Sequence, residues 1–375
     1  MSPEFMIIIA AGIAIAWANG SNDVSKGIAT LVGAGVTSYR TALHWGTFFT
    51  AAGAMTGALF ASAMVDTFGG KLLTAAATPD LSAALATIGG AAGWVLLATR
   101  TGLPVSTTHA IVGALLGVAL MAFGAAGVAW TTLIWKVALP LLLSPLVALA
   151  ATMGLRRGWD KWRSSRARAA DCICLTATPR VVFAQPSGRG ISEFSPDVTF
   201  GTCEAESLPG SRVRALVTVD MLHWLSAGLT SFARGMNDAP KLAGLMLAAM
   251  LLSGDGELAS RTAFLVVAAA MTLGGLMAGL RVTRLLAEKI TVMNHHEGFT
   301  ANIVTSMLVS TGAVFGLPMS TTHVSTSALI GVGASGRFGD LRMDVVKKLL
   351  AAWVITLPGA AIIGIGLYGV GQYFT

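Results

Sequence analysis

The chain carries the stretch Trp17-Ala18-Asn19-Gly20-Ser21-Asn22-Asp23-Val24-Ser25-Lys26 near its start and a close copy, Phe232-Ala233-Arg234-Gly235-Met236-Asn237-Asp238-Ala239-Pro240-Lys241, in its second half. The offset from Asp23 to Asp238 is 215 residues. Each copy places an Asn-Asp pair between apolar runs, where a carboxylate is costly unless it faces a partner, an ion or water. The duplication predicts two related membrane halves that each contribute charged groups to a buried site.

A second polar motif is duplicated at nearly the same offset. It reads Gly102-Leu103-Pro104-Val105-Ser106-Thr107-Thr108-His109 and, 214 residues later, Gly316-Leu317-Pro318-Met319-Ser320-Thr321-Thr322-His323. Proline ends the preceding element, and Ser and Thr favour a helix start. A helix N-terminus offers unpaired N–H groups and a partial positive charge. Two such termini predict a site that binds a tetrahedral dianion from opposite sides. The alternative is two capped helices without a ligand.

Apolar residues dominate the composition. Of 375 residues, 54% are hydrophobic and 11% are charged, whereas about one quarter of an average soluble domain is charged. Long apolar stretches predict membrane-spanning helices, and no strand alternation is evident. We therefore predict an all-α polytopic membrane protein with broken helices and re-entrant hairpins. The apolar segments are roughly 6–19, 41–65, 81–99, 109–128, 131–155, 215–233, 239–252, 259–280, 299–316, 323–335 and 346–372.

One long polar stretch, residues 156–214, separates a first membrane repeat, 6–155, from a second, 215–375. Arg and Lys cluster within 156–168, and such clusters face the cytoplasm under the positive-inside rule. The same rule explains the net charge of +7 better than a nucleic-acid partner does. Transporter repeats often have inverted topology, with substrate bound near the middle of the membrane. We expect two inverted repeats, joined by a cytoplasmic loop, in a plasma membrane (the inner membrane of a bacterium).

Residues that match between the repeats are the candidate site residues. Lys26 and Lys241 lie one helical turn after the motif aspartates. With Asp23 and Asp238, they are candidates for ion coupling or for mimics of a bound cation. The alternatives are lysines that extend to the interface and aspartates that only cap helices. The candidate substrate-binding residues are Asn22, Asp23, Ser106, Thr107, Thr108, Asn237, Asp238, Ser320, Thr321 and Thr322.

Histidines and cysteines complete the set of reactive side chains. His109 and His323 follow the hydroxyl runs and are candidates for a proton relay or for structural hydrogen bonds. Cys172, Cys174 and Cys203 all lie in the polar stretch. Three ligands at this spacing are a weak metal signal, so we expect free loop thiols, no metal site and no cofactor.

At these motifs the sequence resembles the PiT family of inorganic phosphate transporters. That family has a Gly-Ala-Asn-Asp-Val-Ala-Asn-Ala-like motif in each half, here Gly20–Gly27 and, more divergently, Gly235–Leu242. It also has a Pro-x-Ser-Thr-Thr-His element in each half, here Pro104–His109 and Pro318–His323. The likeness covers both membrane halves and leaves out 156–214.

The resemblance implies an inverted repeat around a central anion site. By that likeness, the Asn-Asp pairs contribute to ion and substrate binding, and the six Ser and Thr residues hold the anion. The family includes sodium-phosphate symporters, proton-coupled carriers and some sulfate permeases. This chain departs from the family at Lys26 and Lys241, where the family motif has Asn in a region associated with sodium binding. The departure predicts transport that is sodium-independent or proton-coupled.

The expected function is secondary active transport of inorganic phosphate. Sulfate is the nearest alternative substrate, but only phosphate can donate a hydrogen bond to a carboxylate near neutral pH. A passive anion channel and an intramembrane phosphohydrolase are alternatives from other classes. Expected partners are phosphate or sulfate, protons or sodium, and the lipid bilayer, and oligomer formation is left open.

Overall fold

The computed structural model describes residues 3–165, 172–183, 190–201, 212–254, 259–289, 293–335 and 341–374. The first half consists of helices joined by short turns. A π-helical turn, Thr67–Lys71, extends α4, and another, Leu133–Ala138, joins α7 to α8. The helices are α1 (Pro3–Asp23), α2 (Ser25–Gly33), α3 (Tyr39–Phe60), α4 (Ser62–Asp66), α5 (Leu81–Thr101), α6 (Thr107–Phe123), α7 (Trp130–Thr132) and α8 (Leu139–Ser165).

The second half is also helical and is preceded by a small sheet. The sheet is antiparallel, in the order β2-β1-β3, and it lies in the polar stretch, for which the sequence had predicted no strands. Its strands are β1 (Cys172–Phe183), β2 (Gly190–Gly201) and β3 (Arg212–Thr218). The helices that follow are α9 (Val219–Leu252), α10 (Ala259–Ala278), α11 (Leu280–Lys289), α12 (His295–Val314), α13 (Thr321–Ser335) and α14 (Met343–Phe374). Because α8 continues to Ser165, the expected boundary at 155 falls inside a helix.

Several helices are long and apolar enough to cross a membrane. Among the described residues there are five, and a sixth span results if α3 and α4, which meet at an angle of 82°, are counted together. The predicted multi-pass helical membrane protein is thereby confirmed. Helix α9 has 34 residues but is not among these spans. It carries Arg234, Asp238 and Lys241, which are all buried inside the protein instead of facing lipid.

Two helical hairpins carry the Ser-Thr-Thr-His motifs. The turn after α5 contains Gly102 with φ 76°, and the turn after α12 contains Gly316 with φ 66°. Both are left-handed conformations that strongly favour glycine. In each hairpin the motif proline then keeps the chain extended until Ser106 or Ser320 begins the next helix. The hairpin tips therefore sit at the breaks that the sequence predicted.

The two hairpins are anchored at opposite ends of α14, a helix of 32 residues and therefore about 48 Å long. At its C-terminal end, Gln372 donates to Asp80 and Ser82, at the base of the α5–α6 hairpin (3.0 and 2.9 Å). At its N-terminal end, Val345 packs in one apolar cluster with Val332, at the base of the α12–α13 hairpin.

The motif glycines pack helices together. A Cβ on Gly20 would lie 2.0 Å from the carbonyl oxygen of Met271 in α10, and one on Gly235 would lie 2.2 Å from that of Thr50 in α3. These glycines do not break the motif helices: α9 runs through its motif, and only Val24 separates α1 from α2. Glycine is needed here because the helices cross with their backbones in contact.

Candidate functional site: a buried charged centre between the hairpin tips

The first-half motif binds the tip of its own hairpin. The Asn22 amide donates to the carbonyl oxygen of Leu103 (3.0 Å) and to the Thr99 hydroxyl (3.1 Å), and it accepts from the backbone N–H of Val105 (3.1 Å). Lys26 forms an ion pair with Asp23 and also donates to the Asn22 side chain (2.9 Å). Asn22 therefore holds the hairpin in place, and its amide group is occupied by protein.

The second-half motif repeats this arrangement. The Asn237 amide donates to the carbonyl oxygen of Met319 (3.0 Å) and accepts from its N–H (3.3 Å). Lys241 lies 3.3 Å from Asp238 Oδ1 and donates to the Thr108 hydroxyl of the other half (2.8 Å). Neither aspartate caps a helix by the expected geometry: Val24 is the N-cap of α2, and Asp238 lies inside α9.

The hairpin tips meet at their helix N-termini. The Ser106 hydroxyl accepts from the backbone N–H of His109, and the Ser320 hydroxyl accepts from that of His323 (both 3.2 Å). The two serine oxygens lie 2.9 Å apart. Helices α6 and α13 therefore begin at the same place, with the partial positive charges of both N-termini converging there. An α-helix leaves its first N–H groups without intrahelical partners, so this junction can bind an anion.

The four motif threonines all lie in this junction. Thr107 donates to Asp23 (3.3 Å), and Thr322 donates to the carbonyl oxygen of Val105 (2.7 Å), which links the second hairpin to the first. Thr108 and Thr321 are also buried, with 3% and 4% of their surface exposed. The predicted substrate-binding residues are thus brought together, although Asn22, Asn237, Thr107, Thr108 and Thr322 already bind protein atoms.

Two residues that the sequence analysis did not assign complete the centre. The amide of Asn19 lies within hydrogen-bonding distance of Asp23 (3.1 Å), Thr107 (3.1 Å) and Asp238 (3.2 Å), so it connects the two halves. Arg234 is 1% exposed; it donates to the Thr50 hydroxyl (2.8 Å) and lies 3.5 Å from the Asn19 side-chain oxygen. Arg234 occupies the repeat position of Asn19. An arginine within an apolar run is the sequence signal that could have identified it.

The centre carries more positive than negative charge. Among the described residues that form it, two aspartates face three cations, Lys26, Lys241 and Arg234, so its formal charge is +1. All five charged residues are at most 3% exposed. A buried excess of positive charge attracts an anion strongly because little water is present to screen it.

The two motif histidines lie against each other beside the tips. The ring centroids of His109 and His323 are 4.3 Å apart, and Trp353 stacks on His323 at 3.9 Å. His109 Nδ1 shares a hydrogen bond with the Ser106 hydroxyl (2.9 Å), whereas His323 Nε2 has no partner among the described residues. The histidines are therefore in contact with the junction through Ser106.

The described residues contain no group of three or more His, Cys, Asp or Glu side chains that could hold a metal ion. Cys203 lies outside the described residues, and Cys172 and Cys174 fall in β1.

Two helical hairpins whose tips meet at a buried charged centre define a multi-pass membrane protein of the transporter class. The sequence profile of the phosphate transporter family matches residues 19–364. The chain therefore belongs to the phosphate transporter family, which is a family of transporters rather than enzymes, and it is a multi-pass protein of the plasma or inner membrane. The resemblance seen in its motifs is confirmed.

Relatives cover nearly the whole chain. A probable low-affinity inorganic phosphate transporter of Rhizobium meliloti is 30% identical over 369 residues, which cover 96% of this chain and 94% of that one. Another of the same description from Mycobacterium leprae is 26% identical and covers 97% of this chain and 77% of that one. A solved structure named "The sodium-dependent phosphate transporter" has the same fold, with a TM-score of 0.78, 22% identity and full coverage of both chains.

Proposed function

We propose that this protein is a secondary active transporter that carries inorganic phosphate across the plasma membrane and does not require sodium. The observation that carries the proposal is the junction of the two hairpin tips, with Ser106 and Ser320 in contact. Backbone N–H groups at both helix N-termini would bind the phosphate oxygens. The Thr321 hydroxyl is close enough to the junction to add a further donor. The Thr107 and Thr108 hydroxyls would add two more by turning from Asp23 and the Met319 carbonyl oxygen toward the anion.

A proton on phosphate gives the centre a means of selecting it over sulfate. Asp238 Oδ2 accepts from Asn19 at 3.2 Å, and an ionised carboxylate oxygen can accept a further hydrogen bond. A phosphate hydroxyl would donate to this oxygen, whereas fully ionised sulfate has no proton to donate. Asp23 Oδ2 already accepts from both Asn19 and Thr107, and Asp23 Oδ1 is held in the ion pair with Lys26. The partners Asn237 and Lys241 bind Asp238 Oδ1 and leave Oδ2 with Asn19 among the described residues, so we assign selection to Asp238.

The cations of the protein replace bound sodium in this proposal. Lys26 and Lys241 stand where the family motif has Asn, and each pairs with its aspartate. With Arg234 the centre has a formal charge of +1 before an anion enters, so it needs no metal cation to reach neutrality with a monoanion. A lysine ion pair in a desolvated centre can also exchange a proton, which supports coupling to protons, and the histidine pair would pass that proton on.

We further propose that the repeats have inverted topology and that residues 156–214 face the cytoplasm. The support is the anchoring of the two hairpins at opposite ends of α14, with one hairpin contributed by each half. With hairpins that enter from opposite faces, each tip can close one side of the junction. The site would then open to one face of the membrane at a time, as a transporter requires and a channel does not.

Purified protein in liposomes tests the proposal. Concentrative uptake of radiolabelled phosphate in choline medium, stimulated by an inward proton gradient, is expected, and excess unlabelled sulfate should compete weakly. Loss of uptake in choline with restoration by sodium would overturn sodium independence. Non-concentrative flux would identify a channel, and chemically altered substrate would identify an enzyme.

Matched substitutions test whether the stimulation of uptake by protons depends on the buried charged centre. Lys241→Asn should abolish the stimulation by the proton gradient. Lys71→Asn is the control, because Lys71 also pairs with an aspartate, Asp66, but both side chains are more than half exposed.

A further inference from the structure

A cavity of about 440 Å³ lies where α1, α5, α10 and α11 meet, outside the buried centre. Three arginines line it: Arg100 from the end of α5, and Arg281 and Arg284 from α11. We propose that this arginine cavity is a second anion site, which binds a phosphate group and supplies it to the buried centre. The inference rests on the proposed function, and it adds a site that the repeat motifs do not contain.

Among the described residues, none of the three guanidinium groups forms an ion pair with a carboxylate. The nearest acid on α11, Glu288, accepts a hydrogen bond from Tyr39, and Arg284 lies 5.8 Å from the centroid of that tyrosine ring. Arg281 uses one N–H to bind the carbonyl oxygen of Arg100 (2.8 Å), so it joins α11 to α5 and keeps its remaining donors.

The cations are arranged to act together. Arg281 and Arg284 are three residues apart on a helix and therefore lie on the same face. Arg100 is brought beside them by the hydrogen bond to its carbonyl oxygen. A guanidinium group presents a planar fork of donors that matches two phosphate oxygens. Three such groups around one cavity favour a phosphate dianion over a halide or a carboxylate.

The arginine cavity is close to the buried centre. Thr99 lines it, and the Thr99 hydroxyl accepts a hydrogen bond from Asn22 of the first motif (3.1 Å). Trp17, which also lines it, precedes Asn19 by two residues. One layer of side chains therefore separates the arginine cavity from the charged centre. Because Asn22 holds the first hairpin tip, movement of that tip would connect the arginine cavity with the charged centre.

Phosphate uptake kinetics in proteoliposomes of neutral lipid test the site. Arg281→Gln and Arg284→Gln should raise the KM for inorganic phosphate about threefold to tenfold at low ionic strength, with kcat unchanged, because attraction of the anion is weakened. The difference from the native protein should shrink in about 0.5 M salt. Lys347→Gln is the control, since it removes an exposed positive charge from α14, away from the arginine cavity.

Binding measured without transport separates this inference from the proposed function. Equilibrium dialysis in detergent should show two phosphate sites in the native protein and one in the double variant. If dialysis shows one site in both, mass spectrometry for bound anionic phospholipid decides. Lipid lost in the variants would assign the arginine cavity to a phospholipid headgroup and overturn the supply of phosphate to the buried centre. Equal lipid and an unchanged KM would overturn the anion site itself. A native protein that binds phosphate twice but does not carry it would contradict the proposed function alone.

Discussion

Replacing Lys26 with asparagine, the residue that the family motif has at this position, tests the cation-mimic hypothesis directly. The Lys26 side chain is fully buried, and its ammonium group is paired with Asp23, whose side chain is 2% exposed. Removing one partner of a buried ion pair costs about 3–5 kcal/mol, because the other charge is left without compensation. We therefore expect Lys26→Asn to lower the thermal stability of the detergent-solubilised protein in choline medium substantially.

Sodium should partly restore the stability of this variant. If sodium enters the vacated space with a dissociation constant of about 10 mM, about 0.1 M sodium would return about 1.4 kcal/mol. The measurement is the unfolding midpoint, followed by tryptophan fluorescence, in sodium and in choline at equal ionic strength. The native protein should show the same midpoint in both salts, and so should the Lys71→Asn control.

Two results would refute the reasoning. A native-like midpoint for Lys26→Asn in choline would show that Lys26 does not compensate Asp23. A variant that is equally destabilised in both salts would show that Asp23 needs the ammonium group but that the space does not accept sodium. In that case Lys26 is a structural partner of Asp23, and Lys241 and Arg234 would remain as the cations that replace sodium.

Other predictions concern binding and topology. Thr107→Val and Thr321→Val should each weaken phosphate binding by about 1.5–3 kcal/mol, the value of a hydrogen bond to a charged group, with little loss of folded protein; unchanged affinity by calorimetry in both would remove these hydroxyls from the site. Arg234→Asn should reduce the affinity for phosphate at low and at high salt alike, because it removes the excess charge of a buried centre that salt screens little; an unchanged affinity would contradict an electrostatic role. Single cysteines at matching ends of the two repeats should be labelled from opposite sides of the membrane, and labelling from one side would disprove inversion. A protease site inserted in 156–214 should be cut only in inside-out vesicles, and cutting in intact cells would place this stretch outside.

The sequence predicted the parts of the fold that polar residues mark. Each Ser-Thr-Thr-His motif follows a glycine and a proline, and these residues place a turn and a new helix within an apolar run. The pairing of Asp23 with Lys26, and of Asp238 with Lys241, followed from one helical turn of spacing. Such local rules need only neighbours in the chain.

The features that were missed depend on distant contacts. Glycine lowers helix stability, so its presence at position 20 inside α1 is explained only by Met271, some 250 residues away, whose backbone contacts this position. Arg234 differs from its counterpart, Asn19, so the pattern of identical residues in the two halves did not indicate it. The sheet of β1 to β3 lies between the repeats, so no duplicated pattern indicated it.

Contacts between equivalent residues of the two halves indicate how such a chain can originate. Ser106 touches Ser320, its equivalent in the other half. A hydroxyl can both donate and accept, so the same residue suits both sides of this contact. A half-length ancestor that paired with a second copy of itself would require such self-compatible side chains. Asn19 and Arg234 are also equivalent and also meet, yet two arginines there would repel each other. Only after gene duplication and fusion can one copy keep the amide while the other gains the charge.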